Sequence, residues 1–205
     1  MTEPNFPAAT IVQTGAALVY DTALFGIASP IVGQRYRFGL ASSVGDVRVM
    51  TAVADYRRYV MPVRPFTLAF RAQSVARFGE GASDPRLLPL LWNMRDIVRG
   101  FDTDNTTIRT SRYIAGNAEL RFPLASLFSR RASPALPMEG LAFADCGQFF
   151  TPAMGGDASV SQRLCSAGAG VRVNAAGFVF EFDGVRPIGI PNAGWRLGVN
   201  FIPGF

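Results

Sequence analysis

Alternation with a period of two is the strongest constraint on what this chain can fold into. In "GWRLGVNF", Trp195, Leu197, Val199 and Phe201 share one face, and Arg196, Gly198 and Asn200 share the other. "QRYRFGL" sets Gln34, Tyr36, Phe38 and Leu40 against Arg35, Arg37 and Gly39. "FVFEF" sets Phe178, Phe180 and Phe182 against Glu181. "SAGAGVRVN" sets Ala167, Ala169, Val171 and Val173 against Ser166, Gly168, Gly170, Arg172 and Asn174. Successive side chains of a strand point to opposite faces, so this pattern predicts strands. Nine segments carry it, near residues 13–24, 33–42, 46–60, 65–78, 110–122, 140–150, 164–174, 177–183 and 194–203. "RLLPLLWNM" has helical spacing, but Pro89 interrupts it. The expected fold is all-β, in one domain spanning residues 1–205.

The connections sort into two kinds. Those at 61–65 and 174–177 are short, and those at 79–109, 151–163 and 183–193 are long. The link at 123–139 breaks the rule, being long, and it holds Arg130 and Arg131. Short turns at one end and long loops at the other are the habit of outer-membrane barrels. Alternation alone fits a soluble sandwich as well. A sandwich, however, rarely carries so many Gly and Ala residues on its outward face, whereas a plugged barrel lumen tolerates small residues and isolated arginines. Phe205, after "WRLGVNFIPGF", matches the aromatic residue that often ends a barrel's last strand. Arg196, Gly198 and Phe201 resemble the polar–glycine–aromatic pattern read by the barrel-assembly machinery, and Pro203 departs from it.

Composition removes several classes of function. The chain has no His, which excludes His-dependent triads, acid–base pairs and metal sites. The formal net charge is +5, yet the basic residues, all arginine, are dispersed singly and form no nucleic-acid stripe. At 49% hydrophobic the chain is apolar, but no run reaches the length of a transmembrane helix. "MTEPNFPAAT" has neither a basic region nor an apolar one, so it is no secretory signal. The chain is then either cytoplasmic or the tail of a longer exported one. Cys146 and Cys165 lack metal-site spacing and fall on consecutive strands, on the same outward parity. They are either a cross-strand disulfide of an oxidising compartment or two small unpaired apolar side chains. "GAGVRV" has no following helix to make a dinucleotide site, and "NTT" (105–107) is a sequon only in another kind of cell. Asp102 and Asp104 could touch a cation, though solvated loop carboxylates are commoner. No cofactor, no metal and no nucleic-acid partner is expected.

The segments "IVRGF" (97–101), "GNAELRFPL" (116–124), "LAFADCGQFF" (141–150) and "GAGVRVNAAGFVFEF" (168–182), in that order before an aromatic terminus, resemble the C-terminal half of the BamA/TamA superfamily barrel, or bacterial surface antigen domain. "ALVYDTALFG" (17–26), "SPIVGQRYRF" (29–38) and "DYRRYVMPVRPFTLAFR" (55–71) resemble its preceding strands. The resemblance covers nearly the whole chain. It implies that the tip of loop 79–109, Val98, Arg99, Gly100 and Phe101, folds back into the lumen. It further implies that Arg99 pairs with Glu119 and Asp145 on the inner wall. A buried guanidinium without an anion would be costly, and its planar fork suits two carboxylates. The cluster reads as a structural lock, with a transport switch as the other reading. Parity puts further charges on the inner side: Arg35, Arg37, Asp55, Arg57, Arg71, Arg77, Arg172, Glu181 and Arg196.

Nine strands is an odd number, which would put the two ends of the chain on opposite sides of a membrane, and single-chain bacterial barrels are usually even. The resemblance implies sixteen strands after periplasmic domains and a signal peptide. The chain is therefore expected to be an incomplete antiparallel transmembrane barrel lacking its first seven strands, in a Gram-negative outer membrane. The implied function is non-enzymatic insertion or transport of polypeptides, with outer-membrane lipid, the barrel-assembly machinery and polypeptide clients as partners. A second reading makes it the barrel of a longer chain with an upstream patatin-like hydrolase or propeller domain. A third makes it a soluble β-binding module.

Overall fold

The computed structural model describes residues 9–87, 96–101, 110–124, 137–152, 159–175 and 177–202. The strands are β1 (Ile11–Asp21), β2 (Leu24–Phe25), β3 (Pro30–Gly45), β4 (Val49–Val63), β5 (Phe66–Phe78), β6 (Arg112–Pro123), β7 (Met138–Pro152), β8 (Ser159–Ala175), β9 (Phe178–Ile188) and β10 (Arg196–Ile202). Nine of them coincide with the alternating segments. The tenth, β2, is two residues long and too short to alternate, so no period marks it. Among the described residues no helix is long and apolar enough to cross a membrane. The segment around Pro89, Arg130, Arg131, Asp102, Asp104, the 105–107 sequon and Phe205 all lie outside the described residues.

The strands form one antiparallel sheet in the order β1-β3-β4-β5-β6-β7-β8-β9-β10, with β2 paired to β3. Apart from β1, which pairs with β3 past the two-residue β2, each strand thus pairs with its sequence neighbour, the arrangement that short turns make easiest. The turn from β8 to β9 shows how local chemistry sets this. Gly177 adopts φ +89°, which L side chains resist, and its N–H donates to Asn174 Oδ1 at 3.1 Å. The sheet is open, and β1 and β10 are its edges.

The two faces differ in an unusual way. On β9, Val179, Glu181, Asp183 and Val185 are buried while Phe178, Phe182, Arg186 and Ile188 are exposed. On β7, Leu141, Phe143, Asp145 and Phe149 are buried while Ala142, Ala144 and Cys146 are exposed. The inner face therefore holds the carboxylates of the described strands, and the exposed face holds large apolar side chains such as Phe38, Phe70, Ile114, Trp195 and Leu197. Leu197 is 94% exposed, the opposite of what a water-soluble sheet does with leucine. Among the described strand residues, Arg58, Arg112, Arg163 and Arg186 are the charged exceptions on that outer face.

Two chain segments cover the inner face. Residues 96–101, from the β5–β6 connection, pack Ile97, Val98 and Phe101 against Tyr113, Ala115, Phe149 and Leu164. Tyr113 and Phe149 stack with centroids 5.7 Å apart. Burying each large apolar side chain contributes about 1.5–3 kcal/mol, enough to hold a short loop down. Residues 22–29, between β1 and β3, reach the same face from the other end of the strands. They carry Ser29 into a buried position beside β7. Strand β1, by contrast, is exposed along its whole length.

Candidate functional site

The centre of the inner face is Arg99. Its backbone has just turned, because Gly100 takes φ +82° and lies against β9. A Cβ there would sit 2.8 Å from Val185 Cγ1, so both conformation and space call for glycine. Val98 and Phe101 flank the arginine and are 0% and 2% exposed. These apolar anchors fix where the guanidinium lands.

Arg99 makes a forked contact with Asp145, Nε to Oδ2 at 2.7 Å and Nη2 to Oδ1 at 2.9 Å. Its backbone N–H adds a bond to Asp145 Oδ2 at 3.2 Å. Nη2 lies 2.8 Å from Glu119 Oε1, and Nη1 lies 3.6 Å from Glu181 Oε1. The guanidinium carbon sits 3.6 Å from the centroid of the Phe143 ring. Both carboxylates implied by the family resemblance thus reach Arg99, and the structure adds a third carboxylate and an aromatic floor. Such charge-assisted forks are the strongest hydrogen bonds available to a side chain.

The backbone of the tip is held as well. Asn117 Nδ2 donates to Ile97 O at 2.8 Å and to Asp145 Oδ1 at 2.9 Å. Arg71 Nη1 donates to Asp96 O at 3.0 Å, and Arg196 Nη1 donates to Gly100 O at 2.5 Å. Arg196, singled out in sequence as part of a terminal signal, is therefore a clamp on the loop. Its companions in that pattern do other things. Gly198 pairs with Asp183, and Phe201 lies against Phe178 and Phe180 at centroid distances of 5.6 and 5.3 Å. Cys146 and Cys165 face each other across β7 and β8 and are joined as a disulfide.

A second hub was not legible as such. Arg172, on β8, donates Nε to Glu181 Oε2 at 2.7 Å, Nη2 to both Glu119 oxygens at 3.1 Å, and Nη1 to Glu139 Oε1 at 3.4 Å. Arg121 Nε adds a bond to Glu119 Oε2 at 2.7 Å. The 22–29 segment is tied into the same network. Ser29 Oγ donates to Glu139, 2.7 Å from Oε1 and 2.8 Å from Oε2. Arg121 Nη1 reaches Pro30 O at 3.1 Å, and Asn174 Nδ2 reaches Ile27 O at 2.8 Å. Glu139 shares the inward parity of Asp145 and was findable that way. Ser29 lies in a stretch without periodicity, so nothing in the sequence marked it.

Between the two covering segments lies a cavity of about 370 Å³, lined among others by Arg35, Arg57, Tyr59, Arg71 and Asn200. Among the described residues no group of three or more Asp, Glu or Cys side chains could hold a metal ion. The arrangement offers immobilisation of a loop and a charged cavity beside it. No protein-family model matches the chain, and a search of curated proteins finds none similar to it.

Proposed function

We propose that the chain is part of an outer-membrane β-barrel of the BamA/TamA type, serving the insertion or transport of polypeptides in a Gram-negative envelope. The observation that carries this reading is the inverted polarity of the sheet. Its buried face is charged and hydrogen-bonded, and its exposed face presents Phe38, Phe70, Ile114, Trp195 and Leu197. That face suits hydrocarbon, and Arg58, Arg112, Arg163 and Arg186 have stems long enough to carry their charges to headgroups. The Arg99 lock adds to it, since a loop tip pinned inside the sheet plugs a lumen.

In this reading the chain does no covalent chemistry. Strand β10 supplies one side of a seam at which a client strand is received. The edges left open in the sheet call for further strands, because unpaired backbone is intolerable in lipid. Those strands, with periplasmic domains, belong to a longer product that the assembly machinery inserts. A hydrolase or propeller ahead of the barrel remains the second reading, to be decided by the same upstream sequence.

The test is partition of the native product. Membranes washed with alkaline carbonate should retain it, and detergent should release it. Recovery as a detergent-free soluble monomer would defeat the membrane reading. Reading the gene upstream of Met1 should then reveal about seven more alternating segments, as even-numbered barrels require. Depletion of the full product should slow insertion of other barrel proteins. If insertion is unaffected in a verified membrane barrel, the transport role fails while the membrane reading stands.

A further inference from the structure

The register of β3, β4 and β5 aligns three arginines in one row on the inner face. Arg35 faces Arg57, and Arg57 faces Arg71. Like charges directly opposite on neighbouring strands repel, so such a row costs stability wherever nothing anionic sits on it. Among the described residues, Asp21 and Asp55 offset it. Asp21 pairs with Arg35, with a contact of 2.7 Å from Nε to Oδ2. Asp55 receives forks from both Arg57 and Arg71, each with one contact of 3.1 Å and one of 2.8 Å. Arg37, opposite Asp55 on β3, adds a fourth positive charge to the same strands.

All three row arginines line the 370 Å³ cavity, and their side chains are 29%, 32% and 26% exposed. They are thus more open to an occupant than Arg99 and Arg172, which line the same cavity but are 9% and 6% exposed. The cavity is of the size that takes a small molecule and is too small for a folded segment. Guanidinium forks match the oxygens of phosphate better than those of any neutral group.

We propose that the Arg35–Arg57–Arg71 row is a binding site for a phosphate-type oxyanion, either a free phosphorylated solute or the headgroup of an anionic lipid. This goes beyond the membrane role and does not depend on it, since the site needs only the inner face of the sheet. Asp55 sets its strength by competing with the ligand for two of the three guanidiniums.

The experiment titrates inorganic pyrophosphate into the full chain in zwitterionic micelles, by calorimetry. Arg57→Gln and Arg71→Gln should each weaken binding about tenfold, the worth of one charge-assisted hydrogen bond. Arg163→Gln, on the outer face, should leave it unchanged. Asp55→Asn should tighten it several-fold, a gain that misfolding cannot produce. Micelles doped with phosphatidylglycerol identify the source, because a headgroup ligand would compete with pyrophosphate in the wild type and a soluble one would not be displaced. Equal affinity in wild type, Arg57→Gln and Arg71→Gln would overturn the proposal. So would a loss in Arg163→Gln as large as theirs, or a failure of Asp55→Asn to tighten binding.

Discussion

The inner face has two halves that handle arginine differently. On β6–β9 and the loop tip, Arg99, Arg121 and Arg172 are buried among Glu119, Glu139, Asp145 and Glu181, so carboxylates outnumber guanidiniums. On β1 and β3–β5, Arg35, Arg37, Arg57 and Arg71 share the face with Asp21 and Asp55, so the excess is reversed. Both halves border the cavity, but the arginine side chains of the first are 6–11% exposed, and Arg35, Arg57 and Arg71 of the second are 26–32% exposed. A network that satisfies every charge internally holds the fold together and leaves nothing for a ligand. A network short of anions gives up stability and keeps something to offer.

This contrast can be broken most severely at its centre. Arg99→Glu would place a fourth carboxylate among Glu119, Asp145 and Glu181, at a cost near the top of the range for an uncompensated buried charge, about 5 kcal/mol. In the full barrel, protease should then cleave loop 79–109 readily, and Arg99→Glu with Glu119→Arg should partly restore protection. Unchanged cleavage in Arg99→Glu would end the lock idea. Arg172→Ala removes the cation between three carboxylates without adding a charge. The urea midpoint of the chain in micelles should fall by the equivalent of about 3–4 kcal/mol. Gly100→Ala combines an unfavourable φ with a close approach to Val185, and should cost about 1–3 kcal/mol in the same assay. In the other half, Arg57→Gln relieves repulsion and leaves Asp55 its bond to Arg71, so stability should move by less than about 1 kcal/mol. A loss there as large as that of Arg172→Ala would erase the distinction between the halves.

Much of the first half was legible. Alternation located nine strands, and parity placed Glu119, Asp145, Arg172 and Glu181 on one face. The pairing of Arg99 with Glu119 and Asp145 came from the family resemblance of "IVRGF", "GNAELRF" and "AFADCG", and the geometry agrees with it. Parity names a face but not a height along the strand. It therefore could not show that Arg172 reaches Glu119, Glu139 and Glu181, nor that Arg35, Arg57 and Arg71 stand in one row, because both depend on cross-strand register. The 22–29 segment escaped for a different reason. It is held through Ser29 and Ile27 O, bonds to single atoms that leave no periodic trace.

Arg172 also bears on how the sheet finds its alignment. From β8 it touches β6, β7 and β9 at once. A slip of one residue would turn it to the outer face. A slip of two would keep it inside but carry it roughly 7 Å along the strand, away from carboxylates that only it and Arg99 or Arg121 neutralise. A mispaired sheet would thus leave Glu139 without the guanidinium that faces it and weaken the neutralisation of Glu119 and Glu181. A single guanidinium acts in this way as a proofreading mark for four strands, rejecting wrong alignments by charge where small outward residues such as Ala142, Ala144, Ala167 and Ala169 would tolerate them.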